Sequence, residues 1–549
     1  MKSTFRCINI RLLTGLWLLL ASVFLSLGLV KFWTDSEMWA VSASKFFFEG
    51  GDDYFLGIKP LFHLMLWINY QISDQLLIYP IDLSRFLWGL LALGIMVLCD
   101  RILRAEGFAK SYRILFQMTL FGTTTWLYRA SEVRSDIAAT AILLVVLYFL
   151  RNSFKAIWQK LFLLLMGGLL CALITPKSLF LFLGSLPVLL FLLPELNEKK
   201  LKGAALAVIG ALFFFGALLF HEAFLESLKF FFRQFDSPTA VPYFSKIRLM
   251  HLVRSFKENP HLGLLVFGVL ALGLKNGLWK GSQRSRPYFF SAIALFVILW
   301  SYPDPLPFFI SSYLPVLILY SFICLKQFID GLPNQVIVGL TLLLFINFLF
   351  GVSQVFRHNN FQQRSMANWS IQEFKDRDEI LVFDPTGFYT PRNGQHWFLG
   401  PSMAPEDFKN IFGLIEVKRP EVIFYTHKLV FLEPNVREFL SEKYFQWAPY
   451  IFLSTVKWPS ERGSSCAEVE EQLKKDLFAR RVQSRKSIYP VSALITSTSG
   501  QRRLVEWASQ EQLCESFDSG IGDIIVFGTK PPGSPGDNLV ELFRYDPFF

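Results

Sequence analysis

The chain has few charged residues for its length. Asp, Glu, Lys and Arg make up 18% of its 549 residues, whereas 52% are hydrophobic and 59 are Phe. Its mean hydropathy is +0.38. A soluble globular protein of this size is rarely so apolar, so the composition argues against a soluble enzyme and predicts a polytopic membrane protein.

Three other features are missing. The chain has no glycine-rich nucleotide-binding motif. It also has no internal repeat and no charged residue in the middle of a predicted span, two features typical of transporters. The net charge of +10 is largely explained by segments beside the membrane, so it does not indicate nucleic-acid binding.

Cysteine is scarce, with 6 in the chain. Cys99, Cys171 and Cys324 fall in apolar runs, where they act as small apolar residues. Cys466 and Cys514 fall in a polar C-terminal segment. Two cysteines alone do not establish a disulfide framework, so a structural bond between them and two free thiols are both open.

Long apolar runs are abundant. Eleven windows have a length and composition that favour a helix crossing about 30 Å of hydrocarbon. They are 12–32, 83–99, 114–128, 137–150, 159–174, 178–194, 203–220, 262–274, 287–301, 306–325 and 335–351. No clear small-residue cleavage site follows the first run, so it is predicted to be a span rather than a signal peptide.

The basic residues fix an orientation. If the N-terminus is cytoplasmic, every segment on the inner side carries Lys or Arg, as the positive-inside rule requires. The outer side then holds the long loop 33–82, the short connection 129–136, the loop 221–260 and the C-terminal part. The sequence therefore predicts a cell inner-membrane protein with its functional groups at the outer face.

The outer loops are too apolar to be solvated linkers. Segment 33–82 reads as two helices lying in the membrane interface, and 221–260 contains a third. The alternative is that 60–79 spans the membrane, but this would move the basic loops at 101–113 and 151–160 outside.

The composition changes abruptly near residue 352. DRDEILVFDPTGFY, KRPEVIFYTHKLVFL and DIIVFGT read as strands, and PNVREFLSEKY reads as a helix. The predicted fold is thus an all-α polytopic membrane bundle, residues 1–351, followed by a soluble extracytoplasmic α/β domain, residues 352–549. The second domain contains no catalytic motif, and we expect it to serve as a lid or acceptor platform.

An acidic motif follows the first span directly. Asp35 and Glu37 lie between Trp33 and Trp39 at the predicted outer interface. A carboxylate so close to lipid is costly unless it has a function or a partner. Spacing alone allows Asp35 to cap a helix, to act in catalysis, or to do both.

A second charged cluster lies in the connection 129–136, where Arg129, Glu132, Arg134 and Asp136 occur within eight residues. It reads either as a self-neutralising salt network or as an anion site. Three more outer cations stand at the ends of apolar runs: Lys59, Arg85 and Lys177. Any one of these side chains could simply extend to the membrane–water interface, as basic side chains at the ends of spans commonly do. Together they suggest a lipid phosphate bound beside a general base.

These motifs, in this order, resemble the GT-C superfamily of membrane glycosyltransferases. The resemblance is to the branch that contains the protein O-mannosyltransferases and the lipid A aminoarabinose transferases. It is carried by the D-x-E after the first span, the K-P start of an interfacial helix, the S-R start of the second span, the R-x-D before the fourth and the TPK turn. In the same order, the residues of these motifs are Asp35-Ser36-Glu37, Lys59-Pro60, Ser84-Arg85, Arg134-Ser135-Asp136 and Thr175-Pro176-Lys177.

The resemblance implies a reaction and a role for each residue. The donor would be a hexosyl or pentosyl group on a polyprenyl phosphate, and the acceptor a glycolipid, polysaccharide or protein of the cell envelope. Asp35, with Glu37, would be the catalytic acid pair, with Asp35 as the general base of an inverting transfer. Lys59, Arg85, Arg134 and Lys177 would bind the donor phosphate, and Asp136 and Glu132 would orient these groups or the acceptor.

No cofactor is expected, because the basic residues already supply the charge that a divalent metal would bring. Such a metal is possible but not favoured. Two alternatives stay open: an O-antigen ligase or polymerase that uses a lipid diphosphate donor, and a polytopic lipid or solute transporter.

Overall fold

The structure is a computed structural model. It describes residues 40–41, 59–76, 79–130, 132–152, 156–175, 178–193, 210, 250, 253, 256–275, 285–301, 307–357, 363–364, 367, 381–384, 395–397, 415, 417, 419–420, 422–424, 444–448, 451–454, 491–496, 502–507 and 523–529. The chain divides into two compact units, Met1–Asn360 with Phe548–Phe549 and Phe361–Pro547.

The described part of the first unit is helical. Its helices are α1 Pro60–Gln75, α2 Pro80–Ala105, α3 Lys110–Phe121, α4 Thr124–Arg129, α5 Ser135–Asn152, α6 Ile157–Ile174, α7 Ser178–Phe191, α8 Pro260–Lys275, α9 Arg286–Ser301, α10 Pro307–Cys324, α11 Lys326–Asp330 and α12 Asn334–Arg357. Helices α1, α2, α8 and α10 begin with proline, which suits the first helical position because its missing N–H would have no partner there.

Four of the described helices are long and apolar enough to cross a membrane: Pro80–Ala105, Ser135–Asn152, Ile157–Ile174 and Asn334–Ser353. The apolar helices Ser178–Phe191, Pro260–Ala271, Arg286–Ile298 and Tyr313–Cys324 are shorter. The predicted runs 12–32 and 203–220 lie outside the described residues, apart from Gly210. The architecture is therefore mostly helical with apolar candidate spans, and the count of eleven stays a prediction.

One predicted span is not a continuous helix. The run 114–128 is divided between α3 and α4 by Gly122 and Thr123. Thr123 has an extended backbone, with φ −86° and ψ 107°. A Cβ on Gly122 would lie 2.9 Å from the carbonyl oxygen of Leu344, so the close approach of α12 requires glycine at this position.

Helices α2 and α5 pack together and run in the same direction. Near their first residues, the Trp88 indole bonds to the Arg134 carbonyl. Near their last residues, Arg151 forms an ion pair with Glu106 and donates to the Ala105 carbonyl at 2.9 Å. The basic loops at 101–113 and 151–160 therefore lie at the same end of the two helices, as the predicted topology requires.

Helix α1 lies within the segment 33–82, where the sequence predicts an interfacial helix. It packs against α2 and α6. The other two predicted interfacial helices lie outside the described residues, apart from Ala40, Val41, Met250, Val253 and 256–260.

The second unit contains two sheets. One has the order β2-β1-β3-β5-β4, with β1 parallel to β2 and β3 and with β5 antiparallel to β3 and β4; the other is antiparallel with the order β7-β6-β8. The strands are β1 Leu381–Phe383, β2 Gln395–Trp397, β3 Val422–Phe424, β4 Tyr444–Ala448, β5 Ile451–Ser454, β6 Val491–Thr496, β7 Arg502–Trp507 and β8 Asp523–Thr529.

The three predicted strand segments contain β1, β3 and β8, and the bounds of β8 match DIIVFGT. Val382 and Phe383 of β1 and all of β3 are buried, which explains their continuous apolar sequence. The helix predicted at 434–444 lies outside the described residues except for Tyr444, which begins β4, and Cys466 and Cys514 also lie outside. The α/β class of this unit therefore stays a prediction.

Candidate functional site

The structure describes five of the predicted site residues: Lys59, Arg85, Glu132, Arg134 and Asp136. The other three, Asp35, Glu37 and Lys177, lie outside the described residues. The five are located at the starts of α1, α2 and α5 and in the segment that joins α4 to α5.

The segment between α4 and α5 carries a chain of ion pairs. Glu132 accepts a hydrogen bond from Arg129 Nη1 at 2.6 Å, and its other carboxylate oxygen is 3.5 Å from Arg134 Nη1. Arg134 Nη2 is in turn 3.6 Å from Asp136 Oδ2. The four side chains are buried or nearly so, with exposed fractions of 4% for Arg129 and Glu132, 7% for Arg134 and 13% for Asp136.

The local backbone explains this geometry. Helix α4 is only six residues long and ends at Arg129, and the Glu132 N–H then donates to the Arg129 carbonyl at 3.2 Å. This turn brings the two side chains together. Asp136 lies in the first turn of α5, where the helix dipole favours a negative charge.

Lys59 lies at the start of α1 beside this network. Burial lowers the pKa of its ammonium group, the carboxylate of Asp136 raises it, and the guanidinium of Arg134 lowers it. Lys59 Nζ is 5.9 Å from the centre of the Phe62 ring, which packs edge-on against Trp88 at 5.8 Å. Lys59 is therefore within electrostatic reach of both Asp136 and Arg134.

His63 is one turn further along α1. Burial, with a smaller effect of the Lys59 charge, lowers the pKa of His63 to about 3. The imidazole is therefore neutral at physiological pH and adds no cation to the site.

Arg85 is located on the buried face of α2, three residues before Trp88, and only 2% of it is exposed. A buried guanidinium is costly unless anionic groups or carbonyl oxygens surround it. Because Trp88 bonds to the carbonyl of Arg134, Arg85 lies about one helical turn from the ion-pair chain.

Arg129 is a site residue whose role the sequence does not predict. Its place in the charged cluster 129–136 indicates that it could belong to the site, but its ion-pair partner cannot be predicted from the sequence. With Arg129 included, the described site holds four basic side chains, Lys59, Arg85, Arg129 and Arg134, and two carboxylates, Glu132 and Asp136. Basic side chains grouped in this way are of the kind that binds an anion such as a phosphate group.

The described residues contain no group of three or more His, Cys, Asp or Glu side chains that could hold a metal ion. Four acids of the first predicted outer loop that could bind a hard cation, Asp35, Glu37, Asp52 and Asp53, lie outside that part of the chain. Metal independence therefore stays a prediction.

No protein-family model matches the chain, and no curated protein matches it. The solved structures that are similar to it include two of ArnT from Cupriavidus metallidurans. The structure bound to undecaprenyl phosphate has a TM-score of 0.48 and 13% identity, covering 72% of this chain and 86% of that one. The apo structure has a TM-score of 0.48 and 15% identity, covering 77% of this chain and 93% of that one.

ArnT is a lipid A aminoarabinose transferase of the GT-C superfamily, the group that the sequence motifs resemble. At a TM-score of 0.48, the similarity carries no argument about the activity of this chain.

Proposed function

We propose that the chain is an integral membrane glycosyltransferase that moves a sugar from a polyprenyl-phosphate donor to an acceptor at the outer face of the membrane. The observation that carries the proposal is the grouping of four basic side chains, the buried Arg85, Arg129 and Arg134 with Lys59 beside them, at one end of the helices. Buried cations at the end of an apolar helix bundle suit a ligand that has a phosphate head and a lipid tail.

In the proposed reaction, the carboxylate of Asp35 accepts the proton of an acceptor hydroxyl. The hydroxyl oxygen forms a bond to the anomeric carbon of the donor while the bond from that carbon to the phosphate oxygen breaks. The electron pair leaves with the phosphate, which becomes free polyprenyl phosphate, and the anomeric configuration inverts. Glu37, two residues after Asp35, assists Asp35 in this proton transfer.

The basic residues act on the leaving group. The negative charge on the phosphate grows as the bond to the sugar breaks, so fixed cations stabilise the transition state more than the ground state. Lys59, Arg85, Arg134 and Lys177 have this role in the proposal, and Arg129 joins them. Glu132 and Asp136 hold the guanidinium groups of Arg129 and Arg134 in place.

The proposed location follows from the charge distribution of the loops. The bundle, residues 1–351, lies in the inner membrane with a cytoplasmic N-terminus, and residues 352–549 form an extracytoplasmic domain. The acceptor is then a glycolipid, polysaccharide or protein of the envelope.

The proposal is tested with a deletion strain that is complemented with the wild type, Asp35→Asn, Arg134→Gln or Lys326→Gln at matched membrane levels. Lys326→Gln also removes one positive charge, but it lies beside Asp330 in α11, away from the candidate site. Mass spectrometry of envelope glycolipids and glycoproteins is expected to find a sugar mass that the wild type and Lys326→Gln restore. Asp35→Asn and Arg134→Gln should not restore it.

An unchanged set of glycans in the deletion strain would contradict the proposal. Restoration by Asp35→Asn would contradict the role of Asp35 as general base.

A further inference from the structure

Ser84 and Thr175 carry buried hydroxyl groups that have no hydrogen-bond partner. Both residues have 0% of their surface exposed, and neither hydroxyl is bonded. Buried hydroxyls usually have a partner, because one that is left unpaired forfeits the hydrogen bonds it made in water. These two groups therefore require an explanation.

Four other buried hydroxyls on the described helices satisfy themselves locally. Each donates to the backbone carbonyl four residues earlier, at 2.8 to 3.0 Å: Thr119 to Leu115, Thr140 to Asp136, Ser321 to Leu317 and Thr341 to Ile337. Ser84 does not make this bond although it lies in a helix. Its hydroxyl is thus available to a group other than its own backbone.

The backbone of Thr175 is fixed by hydrogen bonds, whereas its side-chain hydroxyl makes none. Its N–H donates to the Cys171 carbonyl at 2.9 Å, and its carbonyl accepts from both the N–H and the hydroxyl of Ser178, at 3.0 and 2.7 Å. These bonds fix the backbone directly after α6. The side-chain oxygen therefore has a defined position and no structural hydrogen bond.

Both residues flank the first turn of α5. On one side, Trp88 of α2 bonds to the Arg134 carbonyl, and Ser84 lies four residues, about 6 Å along the axis, further toward the start of α2. On the other side, Cys171 of α6 is 3.5 Å from the Ala139 carbonyl, and Thr175 lies one turn beyond Cys171. Because α5 and α6 are antiparallel, that turn brings Thr175 to the level of Ser135, which stands between Arg134 and Asp136 in the chain.

We infer that Ser84 and Thr175 donate hydrogen bonds to the oxygens of a phosphate group that is bound at the basic cluster of Lys59, Arg85 and Arg134. This inference rests on the proposed function, which places such a group on the donor lipid. Hydrogen bonds to a charged acceptor are stronger than those between neutral groups, so two neutral donors add to the cations without adding more buried charge.

The test compares Ser84→Ala, Thr175→Val and the double variant with a matched control, Ser185→Ala. Ser185 in α7 also has a fully buried hydroxyl, but it lies inside an apolar helix and interacts with the side chain of Tyr320. Each protein is placed in nanodiscs, and native mass spectrometry measures the affinity for polyprenyl monophosphate. Thermal unfolding without ligand is recorded for the same samples.

Ser84→Ala and Thr175→Val are each expected to bind polyprenyl monophosphate about 10-fold more weakly, because each loses one hydrogen bond to a charged group. The double variant should bind still more weakly, and Ser185→Ala should bind as the wild type does. Unliganded stability should be unchanged or higher in Ser84→Ala, Thr175→Val and the double variant, since a hydroxyl without a partner contributes no hydrogen bond.

Unchanged affinity in Ser84→Ala and Thr175→Val would overturn this inference and leave the proposed function intact. A loss of unliganded stability in both variants would also overturn it, because the hydroxyls would then have a structural partner. Failure of the wild type to bind polyprenyl monophosphate would overturn the proposed function as well.

Inorganic phosphate serves as a second probe. If it binds to the wild type as tightly as the lipid does and is lost in the same variants, the hydroxyls recognise phosphate but the lipid donor is wrong.

Discussion

The indole N–H of Trp88 donates a hydrogen bond of 2.8 Å to the backbone carbonyl oxygen of Arg134. Trp88 is buried in α2, and Arg134 directly precedes α5. Phe62 of α1 packs against the same indole ring, and Lys59 lies one turn before it. The Trp88 side chain therefore fixes the backbone of Arg134 relative to α1 and α2, the helices beside Lys59 and Arg85.

Replacing Trp88 with Phe is expected to lower the free energy of unfolding by about 1–3 kcal/mol, because the Arg134 carbonyl loses its buried partner. Activity should fall with it, since Arg134 would no longer be held in position. The matched control is Trp126→Phe, which removes a similar volume from a buried indole whose N–H has no partner. Equal losses of stability in the two variants, measured by thermal unfolding, would mean that the hydrogen bond contributes nothing.

Glu132→Gln should be strongly destabilising. The substitution keeps the shape of the side chain but leaves the guanidinium groups of Arg129 and Arg134 without their shared carboxylate. Removing one partner of a buried ion pair typically costs about 3–5 kcal/mol. The free energy of unfolding in mixed micelles is the measurement.

The control for this substitution is Asp330→Asn, which removes the carboxylate of the partly exposed pair Lys326–Asp330. Exposed pairs of this kind contribute at most about 1 kcal/mol. A Glu132→Gln protein that is as stable as Asp330→Asn would contradict the view that Glu132 neutralises two buried arginines.

Asn259 supports the helix that carries Arg129. Its side-chain oxygen accepts hydrogen bonds from the N–H and the hydroxyl of Thr124, at 2.8 and 3.0 Å, and so caps the start of α4. Asn259→Leu removes this cap and should cost about 1–2 kcal/mol of stability. It should also weaken phosphate binding, because Arg129 lies at the other end of the same short helix.

Asn259→Ser keeps a neutral oxygen near the capping position without burying a charge, and we expect it to lose less stability than Asn259→Leu. Thermal unfolding and the affinity for polyprenyl monophosphate are measured on both variants. If Ser is as damaging as Leu, the acceptor oxygen is not what matters at this position.

Apolar runs bounded by prolines and charges predicted the described helices well. The predicted runs 159–174 and 287–301 correspond to α6, Ile157–Ile174, and α9, Arg286–Ser301. The gathering of Lys59, Arg134 and Asp136 was also predicted, because topology places the starts of α1 and α5 at one face.

The break between α3 and α4 could not be predicted, because local sequence does not cause it. TLFGTTTWLY contains no charge and no proline, so it reads as one apolar helix. The break is stabilised instead by distant residues: Asn259 bonds to Thr124, His261 to Thr123, and Asn347 to the Gly122 carbonyl. The partner of Arg129 depends on this break, since α4 would otherwise not end at that residue.

The affinity for polyprenyl monophosphate should depend on pH through Lys59. Only the protonated ammonium group attracts the phosphate, and burial lowers its pKa below the ordinary 10.5. Binding should therefore weaken as the pH rises through this lowered pKa, at a pH where an exposed lysine would still be charged. Native mass spectrometry or fluorescence titration over an alkaline pH series measures the effect.

Two variants identify the group that titrates. Lys59→Arg should bind with an affinity that stays level over the same pH range, because a guanidinium group is not deprotonated in proteins. Asp136→Asn should shift the loss of binding to lower pH, because the Asp136 carboxylate raises the pKa of Lys59. The same decline with pH in Lys59→Arg would show that a different group titrates, and Lys59 would then not be a phosphate ligand.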